Sequence, residues 1–422
     1  MIQFEKKYQS LIPSSANRPL SQGECQTPDG KRCSLCHAGR LGYQDELALK
    51  NQAITAWWNE LGLSLPLQSI VPSPVGRYFR TVTKRKAFHS GRSTQLGLIG
   101  IDAVKKSAYP IAVSQCVVEP RNHAVVYRTV QEFLSRQGEK EFAEALSYVI
   151  VRGDMNEAAV IFNVKDFPRS LQHPVNALSR LITQREPSVK SVFVYSGDER
   201  SDYYLGRPAA GTEKASKIAL RKIFGFSGLF HTVNGKRLFY SPLSFSQTNH
   251  SILNDFVRTV EEMLQLDRGD HLLDLYCGYG LFSLTLADKI HSAIGIDIAM
   301  ESIHEAESNA QRLKIPHARF VKNDITAETV ERLLRRGGAP RGNRLKIILD
   351  PPRSGTRPGV IEAFAASGAQ RIVHIFCNTE IVKQELDIWL AQGYHIDKAV
   401  PVDMFPGTNE IETVVTLTRT VA

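Results

Sequence analysis

Cys377 lies where an apolar run gives way to polar residues, in the sequence IFCNTE. A cysteine that ends a buried strand can present its thiolate as a nucleophile, whereas an inert cysteine more usually lies within a strand. Asp350 ends the preceding apolar run and is followed by two prolines, which cannot continue a sheet and restrict the next turn. Such a bend can hold the carboxylate at a bound molecule. Both residues are candidates for a catalytic site, with a structural cysteine as the alternative.

A glycine turn separates an apolar run from a helical pattern in LLDLYCGYGLFS, residues 272–283. Gly278 and Gly280 let the backbone approach a ligand closely at a helix N-terminus. Asp297 follows 19 residues after Gly278 and ends the next apolar run, where a Rossmann-like fold binds a ribose. Because the third glycine of the dinucleotide pattern is missing, the turn suits S-adenosylmethionine better than a dinucleotide. A turn that only connects strand to helix is the alternative.

Three closely spaced cysteines, Cys25, Cys33 and Cys36, form a C-x7-C-x2-C pattern. In a cytosolic protein such thiols more often bind metal than form disulfides. Cys116 is the only other cysteine in the N-terminal half, and it would be the fourth ligand. Four thiolates fit either zinc or a [4Fe–4S] cluster, and composition does not choose between them. Four unlinked thiols are the remaining possibility.

The elements that must position these residues alternate regularly after residue 250. Predicted strands cover 272–275, 293–298, 318–321, 345–349, 372–376, 395–402 and 413–418, with helices over 252–266 and 300–313. This alternation predicts an α/β fold with a parallel, doubly wound sheet whose ligand site lies at the carboxyl ends of the strands.

Upstream of that sheet, the sequence predicts a small α+β domain. Residues 146–152 and 158–164 read as a hairpin, followed by a helix over 174–185 and a strand over 191–195. We therefore expect three parts: an N-terminal cluster and RNA-binding region over 1–120, a central α+β domain over 121–240, and a Rossmann-like domain over 241–422.

The chain of 422 residues is basic, with a formal charge of +9 and a pI near 9.2. Lysine and arginine neutralise phosphates, so this balance favours a polyanionic partner, although a solvated basic surface is the bland alternative. The cations cluster between Val71 and Leu98, interleaved with aromatic residues, and again between Arg332 and Lys346. Aromatic residues among cations suit looped or single-stranded RNA.

Targeting signals and membrane spans are not evident in the sequence. The first residues lack the apolar core of a signal peptide, and no run approaches the ~20 apolar residues of a spanning helix. We expect a cytoplasmic monomer without membrane contact.

Six motifs occur in order along the second half of the chain: SFSQTN at 244–249, LLDLYCGYGLFS at 272–283, GIDI at 295–298, LDPPRSG at 349–355, FCN at 376–378 and DMFPGTNEIETV at 403–414. Together they resemble the RNA uracil-C5 methyltransferase family, which makes 5-methyluridine in tRNA and ribosomal RNA. The N-terminal cysteines resemble the iron–sulfur branch that acts on 23S ribosomal RNA. The resemblance implies a Rossmann-like methyltransferase domain, S-adenosylmethionine as methyl donor, and a [4Fe–4S] cluster rather than zinc.

The resemblance also implies roles for individual residues. Cys377 would add to C6 of uracil, and a glutamate near the C-terminus would remove the C5 proton. Glu410 and Glu412 compete for that role because they face the same side of a strand; alignment on MFP and ETV favours Glu412. The positions that match the family's cofactor site are Gln247, Tyr276, Gly278, Gly280, Leu281, Asp297 and Asp350.

The function expected is therefore methylation of uridine C5 in 23S ribosomal RNA through a covalent cysteine adduct. The same reaction on a tRNA uridine is the nearest alternative. A catalytically silent RNA-binding or assembly factor is an alternative of another class, opposed by the presence of Cys377 and Glu412, since binding needs neither. A small-molecule methyltransferase is disfavoured by the basic clusters.

Overall fold

The computed structural model describes residues 3–13, 36–63, 65, 67–91, 93–101, 108–113, 116–196, 219–335 and 344–419. Within these ranges the strands form two seven-stranded sheets and one two-stranded hairpin. Two of the four predicted metal ligands, Cys25 and Cys33, lie outside the described residues. No helix in the described ranges is both long and apolar enough to cross a membrane.

The N-terminal half contains two helices, a large sheet and three helices packed on it. In chain order the elements are α1 (Phe4–Leu11), α2 (Tyr43–Glu60), β1 (Val82–Ser90), β2 (Ser93–Ile101), β3 (Ala108–Ile111), α3 (Arg121–Leu134), α4 (Lys140–Ala145), β4 (Leu146–Gly153), β5 (Ala158–Val164), α5 (Gln172–Arg185), β6 (Val189–Ser196) and β7 (Ala219–Gly225). The strand order is β3-β2-β1-β4-β5-β6-β7. The predicted hairpin is confirmed, because β4 and β5 pair antiparallel with Ile150 opposite Ile161.

Strands β4 and β5 are apolar throughout because both of their faces are covered. Val149 and Val160 pack with α3 and α5 in one cluster, whereas Ile150 and Ile161 belong to a second cluster that includes Phe256 of the C-terminal half. A strand buried on both faces reads as a continuous apolar run rather than an alternating one. The first sheet also includes β1–β3, so it joins strands from both sides of residue 120.

The C-terminal half alternates strand and helix around the second sheet. Its elements are β8 (Leu229–Val233), β9 (Lys236–Tyr240), α6 (Leu253–Leu264), β10 (His271–Leu275), α7 (Leu281–Thr285), β11 (Ser292–Asp297), α8 (Met300–Leu313), β12 (Ala318–Lys322), α9 (Ala327–Arg335), β13 (Leu345–Leu349), α10 (Val360–Ala365), β14 (Arg371–Phe376), α11 (Thr379–Ala391), β15 (His395–Val402) and β16 (Glu412–Thr418). The strand order in this sheet is β12-β11-β10-β13-β14-β16-β15. Strands β11 and β12 are added on one side of β10, and β13 and β14 on its other side. The carboxyl ends of these parallel strands form one edge of the sheet.

The prediction of an all-parallel sheet is wrong at β16. That strand lies between β14 and β15 and is antiparallel to both. The physical reason is the short connection over 403–411, which contains no crossover helix; parallel neighbours need a connection of about a dozen residues or more. As a result, the first residue of β16 lies at the same edge as the last residue of β14.

Helices cover both faces of the second sheet. Leu273 and Leu275 face a core that includes α10 and α11, while Leu272 faces the opposite core with Phe256 of α6. Trp57 and Trp58 of α2 are buried in the first of these cores, so α2 packs on the second sheet. Both tryptophans are therefore core residues.

Candidate active site

The turn after β10 has an unusual backbone. Tyr276, Gly278 and Gly280 have φ values of +63°, +54° and +90°. Only glycine adopts this region readily, so Tyr276 is held there by its surroundings. A Cβ atom placed on Gly278 would have no described atom within 4 Å, which leaves open space in front of the turn. The turn therefore forms a cradle that a ligand can approach closely.

Asp297 closes one side of this cradle. Its Oδ2 accepts a hydrogen bond from the Gly278 N–H at 3.0 Å, and its Oδ1 accepts one from the Ala299 N–H at 2.8 Å. The carboxylate is thus fixed at the end of β11, beside the glycine turn. This is the predicted position for an acid that binds ribose hydroxyls.

A small, mostly apolar pocket adjoins the ends of β10 and β11. Its lining residues are Leu275, Ile296, Asn323, Asp324, Ile325, Thr329, Val330, Leu333 and Phe364. Asp324 forms an ion pair with Arg357 at 2.8 Å at its rim. A nucleoside needs an acid for its ribose and a backbone that it can approach closely, and Asp297 and the glycine turn supply both beside this small apolar recess. The residues therefore fit S-adenosylmethionine.

Two acids lie beneath the turn at the ends of β10 and β13. Asp274 is fully buried; its Oδ2 accepts hydrogen bonds from the Ser283 N–H at 2.9 Å and the Ser283 hydroxyl at 2.7 Å. Burial raises the pKa of Asp274 to about 6. Removal from water and then the charge of Asp274 raise the pKa of Asp350 to about 7. The two carboxyls therefore oppose each other's ionisation.

Cys377 follows the last residue of β14. Its Sγ lies 3.9 Å from the carbonyl oxygen of Pro351, so the thiol faces the Pro-Pro bend. Asn378 ties this bend to α11: its amide donates to the Arg353 carbonyl at 2.9 Å, and its Oδ1 accepts from the Glu380 N–H at 3.0 Å. Burial, followed by the charges of Glu412 and Asp350, raises the pKa of Cys377 to about 12, while Arg353 acts in the opposite direction.

Glu412 is brought beside Cys377 by the antiparallel ladder. Phe376 pairs with Thr413, so the residue after Phe376 and the residue before Thr413 are neighbours at the sheet edge. Glu412 is only 3% exposed, and its Oε2 has no hydrogen-bond partner among the described residues. Burial and then the charge of Asp350 raise the pKa of Glu412 well above its usual range. An unsatisfied buried carboxyl of this kind is typical of functional sites.

Glu410 has a different environment. Its side chain is 40% exposed, and it forms an ion pair with Arg353. The two glutamates that the sequence left in competition are therefore distinguished by burial and by partner.

The remaining predicted cofactor residues differ in how they can contribute. Leu281 is buried in the core at the start of α7, so its backbone is the part available to a ligand. Gln247 is buried at the end of the loop over 241–247. Arg152 of β4 holds that loop through hydrogen bonds to the Ser244 carbonyl at 2.6 Å and the Ser246 hydroxyl at 2.7 Å. The first sheet thus supports a loop of the candidate site.

The predicted metal site is described only in part. Cys36 and Cys116 pack in one small cluster with Ala38, Phe79, Val117 and Val118. Burial, Glu119 and the nearby Cys36 all raise the pKa of Cys116. Across the described ranges, no group of three or more metal-binding side chains occurs.

Some predicted RNA contacts are instead internal ion pairs. Arg85 is buried and pairs with Glu119 at 2.5 Å, and Arg77 pairs with the buried Glu46 at 2.9 Å. Charge clustering in the sequence does not reveal such partners, which lie more than 30 residues away. Within the same segment, Lys84 and Lys86 lie over the ring of Tyr148 at 5.7 and 5.9 Å.

Two features of the site were not predicted from the sequence. Arg353 affects Cys377 and Glu412 electrostatically, although the basic residue after Pro-Pro was a visible signal. Glu385 of α11 accepts hydrogen bonds from the Thr356 N–H at 2.6 Å and hydroxyl at 2.8 Å, and so holds the same bend. Nothing in the helical pattern around Glu385 distinguished it from a solvated residue.

The sequence is similar to those of known RNA methyltransferases. The tRNA (Uracil-5-)-methyltransferase family model matches residues 210–420. An uncharacterized RNA methyltransferase of Geobacter sulfurreducens is 27% identical over 97% of this chain and 79% of its own length. The 23S rRNA (uracil(1939)-C(5))-methyltransferase of Haemophilus influenzae is 32% identical over 48% of this chain and 45% of its own length.

A solved structure shares the fold. The tRNA (uracil-54, C5)-methyltransferase of Pyrococcus abyssi, in complex with S-adenosyl-L-homocysteine, matches with a TM-score of 0.69 and 21% identity over 92% of this chain and 85% of that one. The family match covers half of the sequence and includes every strand of the second sheet. The chain is therefore a member of the RNA (uracil-5-)-methyltransferase family.

Proposed function

We propose that this enzyme methylates uridine C5 in 23S ribosomal RNA through a covalent adduct of Cys377, with Glu412 as the base that releases the product. The observation that carries the proposal is the pairing of Phe376 with Thr413, which makes the thiol and the buried carboxyl neighbours at one sheet edge. Neither group is needed for binding alone.

The reaction requires both groups because C5 of uracil is a weak nucleophile. The Cys377 thiolate forms a bond to C6, and the electron pair of the C5–C6 double bond moves into an enolate, which makes C5 nucleophilic. The glycine turn and Asp297 would hold S-adenosylmethionine, which would supply an electrophilic methyl group: the C5–CH3 bond forms as the methyl–sulfur bond breaks, and S-adenosylhomocysteine leaves with the electron pair of that bond. Once C5 carries the methyl group, Glu412 accepts the C5 proton. The double bond re-forms, the C6–S bond breaks, and the thiolate is regenerated.

The electrostatics of the pair support this division of roles. The pKa of Glu412 is raised, and a carboxylate with a raised pKa is a stronger base. Arg353 lowers the pKa of both Cys377 and Glu412, so its guanidinium favours the reactive, ionised forms. The target uridine must leave its stack for C6 to reach the thiolate.

Two observations favour 23S ribosomal RNA as the substrate. The H. influenzae relative bears that substrate in its name, and the N-terminal cysteine pattern resembles the same branch. The P. abyssi protein is named for tRNA, which makes a tRNA uridine the second candidate.

We also propose that Cys25, Cys33, Cys36 and Cys116 hold a [4Fe–4S] cluster. The packing of Cys36 with Cys116 in one apolar cluster supports this, since thiolates of one site must lie together. Anaerobically purified protein should absorb broadly near ~400 nm and contain about four irons per chain. Cys36→Ala and Cys116→Ala should lose the iron, and Cys277→Ala, a buried thiol elsewhere, should retain it. Stoichiometric zinc in the wild type would contradict the iron assignment.

The main test is transfer of labelled methyl groups from S-adenosylmethionine to unmodified 23S ribosomal RNA and to tRNA. We expect label at C5 of a uridine in ribosomal RNA, a loss of roughly a thousandfold or more with Cys377→Ala, and near-normal activity with the control Lys140→Met, which removes an exposed lysine paired with Glu144 on α4. Cys377→Ala should still bind S-adenosylmethionine, since the thiol is not part of the glycine turn. Label in tRNA alone would replace the substrate and keep the mechanism; turnover by Cys377→Ala would refute the adduct.

A further inference from the structure

The loop over 403–411 determines where Glu412 lies. Val402, the last residue of β15, pairs directly with Glu412, the first residue of β16. The nine residues between them therefore form a loop whose two ends are held together by this residue pair. A shift of this loop is transmitted to the start of β16, because Ile411 is buried and directly precedes Glu412.

Lys50 of α2 holds the beginning of this loop. Its Nζ lies 2.8 Å from Asp403 Oδ1, 3.1 Å from the Phe405 carbonyl oxygen and 3.1 Å from Glu46 Oε1. An ammonium group has three N–H donors, and these three acceptors match them in number. Tyr43 adds a hydrogen bond from its hydroxyl to the other Asp403 oxygen at 3.0 Å.

Glu46 holds the middle of the same loop. The Gly407 N–H donates to Glu46 Oε1 at 2.5 Å, and Arg77 Nη1 lies 2.9 Å from Oε2. Burial opposes ionisation of this carboxyl, but Lys50, His37 and Arg77 outweigh it and lower the pKa of Glu46 to about 2. The network is therefore a set of charged groups in the interior, with Lys50, Glu46 and Asp403 all fully buried.

Stability alone is a poor reason for such a network. Removing charged groups from water costs free energy that their mutual attraction barely offsets. Proteins in which apolar side chains replace a buried ion pair are often equally stable. The benefit of a buried network with many hydrogen bonds is a fixed geometry. The geometry fixed here is that of the segment leading into Glu412.

We propose that Lys50 is a positioning residue for Glu412, acting with Glu46 and Asp403 through the loop over 403–411. Lys50 affects the rates of C5 proton removal and product release, and it does not affect formation of the cysteine adduct. The inference rests on the proposed function, because it takes Glu412 as the base.

The test separates product release from folding and from RNA binding. Lys50→Met keeps an unbranched side chain and removes the ammonium group. We expect turnover to fall roughly ten- to hundredfold, as displacement of a catalytic group by about 1 Å can produce. A denaturant-resistant RNA adduct should accumulate, with KM for RNA within about twofold of the wild type. Simple destabilisation would lower the active fraction without enriching the adduct.

Two further variants make the outcome decisive. Lys140→Met removes a lysine from an exposed i,i+4 pair with Glu144, the same spacing as Lys50 and Glu46, and should leave turnover and adduct unchanged. Asp403→Ala leaves the Lys50–Glu46 pair in place and should also enrich the adduct; it decides the matter if Lys50→Met does not fold.

Folded Asp403→Ala with wild-type turnover and adduct level would overturn the proposal, provided that Glu412→Gln accumulates adduct in the same assay. If Glu412→Gln accumulates none, the assignment of the base fails, and the positioning role fails with it.

Discussion

Arg353 forms an ion pair with Glu410 at the protein surface, while Glu412, two residues further along the chain, is buried without a hydrogen-bond partner for its Oε2 among the described residues. Burial raises the pKa of Glu412 and so makes its carboxylate a stronger base, whereas the Glu410 side chain is solvated and paired. The relationship therefore favours Glu412 for proton removal and gives Glu410 a supporting role, as the anion that orients Arg353.

The two glutamates should give different chemical phenotypes. Glu412→Gln keeps the shape of the side chain but cannot accept the C5 proton, so we expect methylation to proceed and release to fail. Turnover should drop roughly hundred- to ten-thousandfold, the usual contribution of a general base. The measurement is a denaturing gel of enzyme with labelled RNA, where a shifted complex should appear. Glu410→Gln, the matched control, should show little adduct; the reverse pattern would assign the base to Glu410.

Arg353 should set the pH dependence of adduct formation. Its charge lowers the pKa of Cys377 and of Glu412, and both must be deprotonated to act. Arg353→Met removes that charge, so both pKa values rise and the pH profile of the reaction should move to higher pH. Rates measured from pH 6 to 10 test this. Arg258→Met, which breaks an exposed pair with Asp255 on α6, should leave the profile unchanged; an unshifted profile for Arg353→Met would show that the guanidinium is too solvated to act.

Asp297 should determine affinity for S-adenosylmethionine. Asp297→Ala removes the acid beside the glycine turn and the acceptor for the Gly278 N–H, and we expect Kd to rise roughly ten- to hundredfold, as loss of a charged hydrogen bond does. Calorimetric titration without RNA measures this directly. Asp288→Ala, which removes an exposed acid paired with Lys236, should bind as the wild type does. Unchanged affinity of Asp297→Ala would exclude the acid from the cofactor site.

Gly407 should be more sensitive to substitution than its backbone angle alone requires. Its φ is +81°, and a Cβ atom would lie 2.6 Å from the Cβ of Ala38. Gly235 has a similar φ of +76° but open space around it, so Gly235→Ala measures the conformational cost by itself, about 1–2 kcal/mol. Gly407→Ala adds a steric clash and should lose roughly 2–5 kcal/mol in total. Urea unfolding measures the loss of unfolding free energy for both variants. Equal losses would mean that the segment around Ala38 moves aside without cost.

The sequence predicted the cofactor side of the site better than the catalytic side. Gly278, Asp297 and Asp350 are at strand ends as expected, because regular strand–helix alternation specifies both the parallel sheet and its ligand edge. The partnership of Cys377 with Glu412 depends on β16 being antiparallel, which follows from the short connection before it rather than from any periodicity. The connection length was available in the sequence, so this error was avoidable.

The buried ion pairs could not be predicted from the sequence. Lys50, in the middle of α2, resembles any solvated lysine in the sequence; only the structure shows its contact with Asp403, more than 350 residues away. Arg77 and Arg85 looked like phosphate ligands for the same reason. Long-range pairing of charges has no local signature, whereas apolar periodicity does.

The antiparallel β14–β16 ladder has a consequence for the enzyme during its synthesis. The glycine turn, Asp297 and Cys377 all precede Glu412 in the chain, and the ladder that places Glu412 involves residues up to Thr418. If Cys377 and Glu412 act as proposed, a nascent chain that has folded only as far as α11 would present the nucleophile without its base, and a uridine that it had methylated would remain attached. Because the proposed base lies on β16, release of the methylated product would require the β14–β16 ladder to have formed.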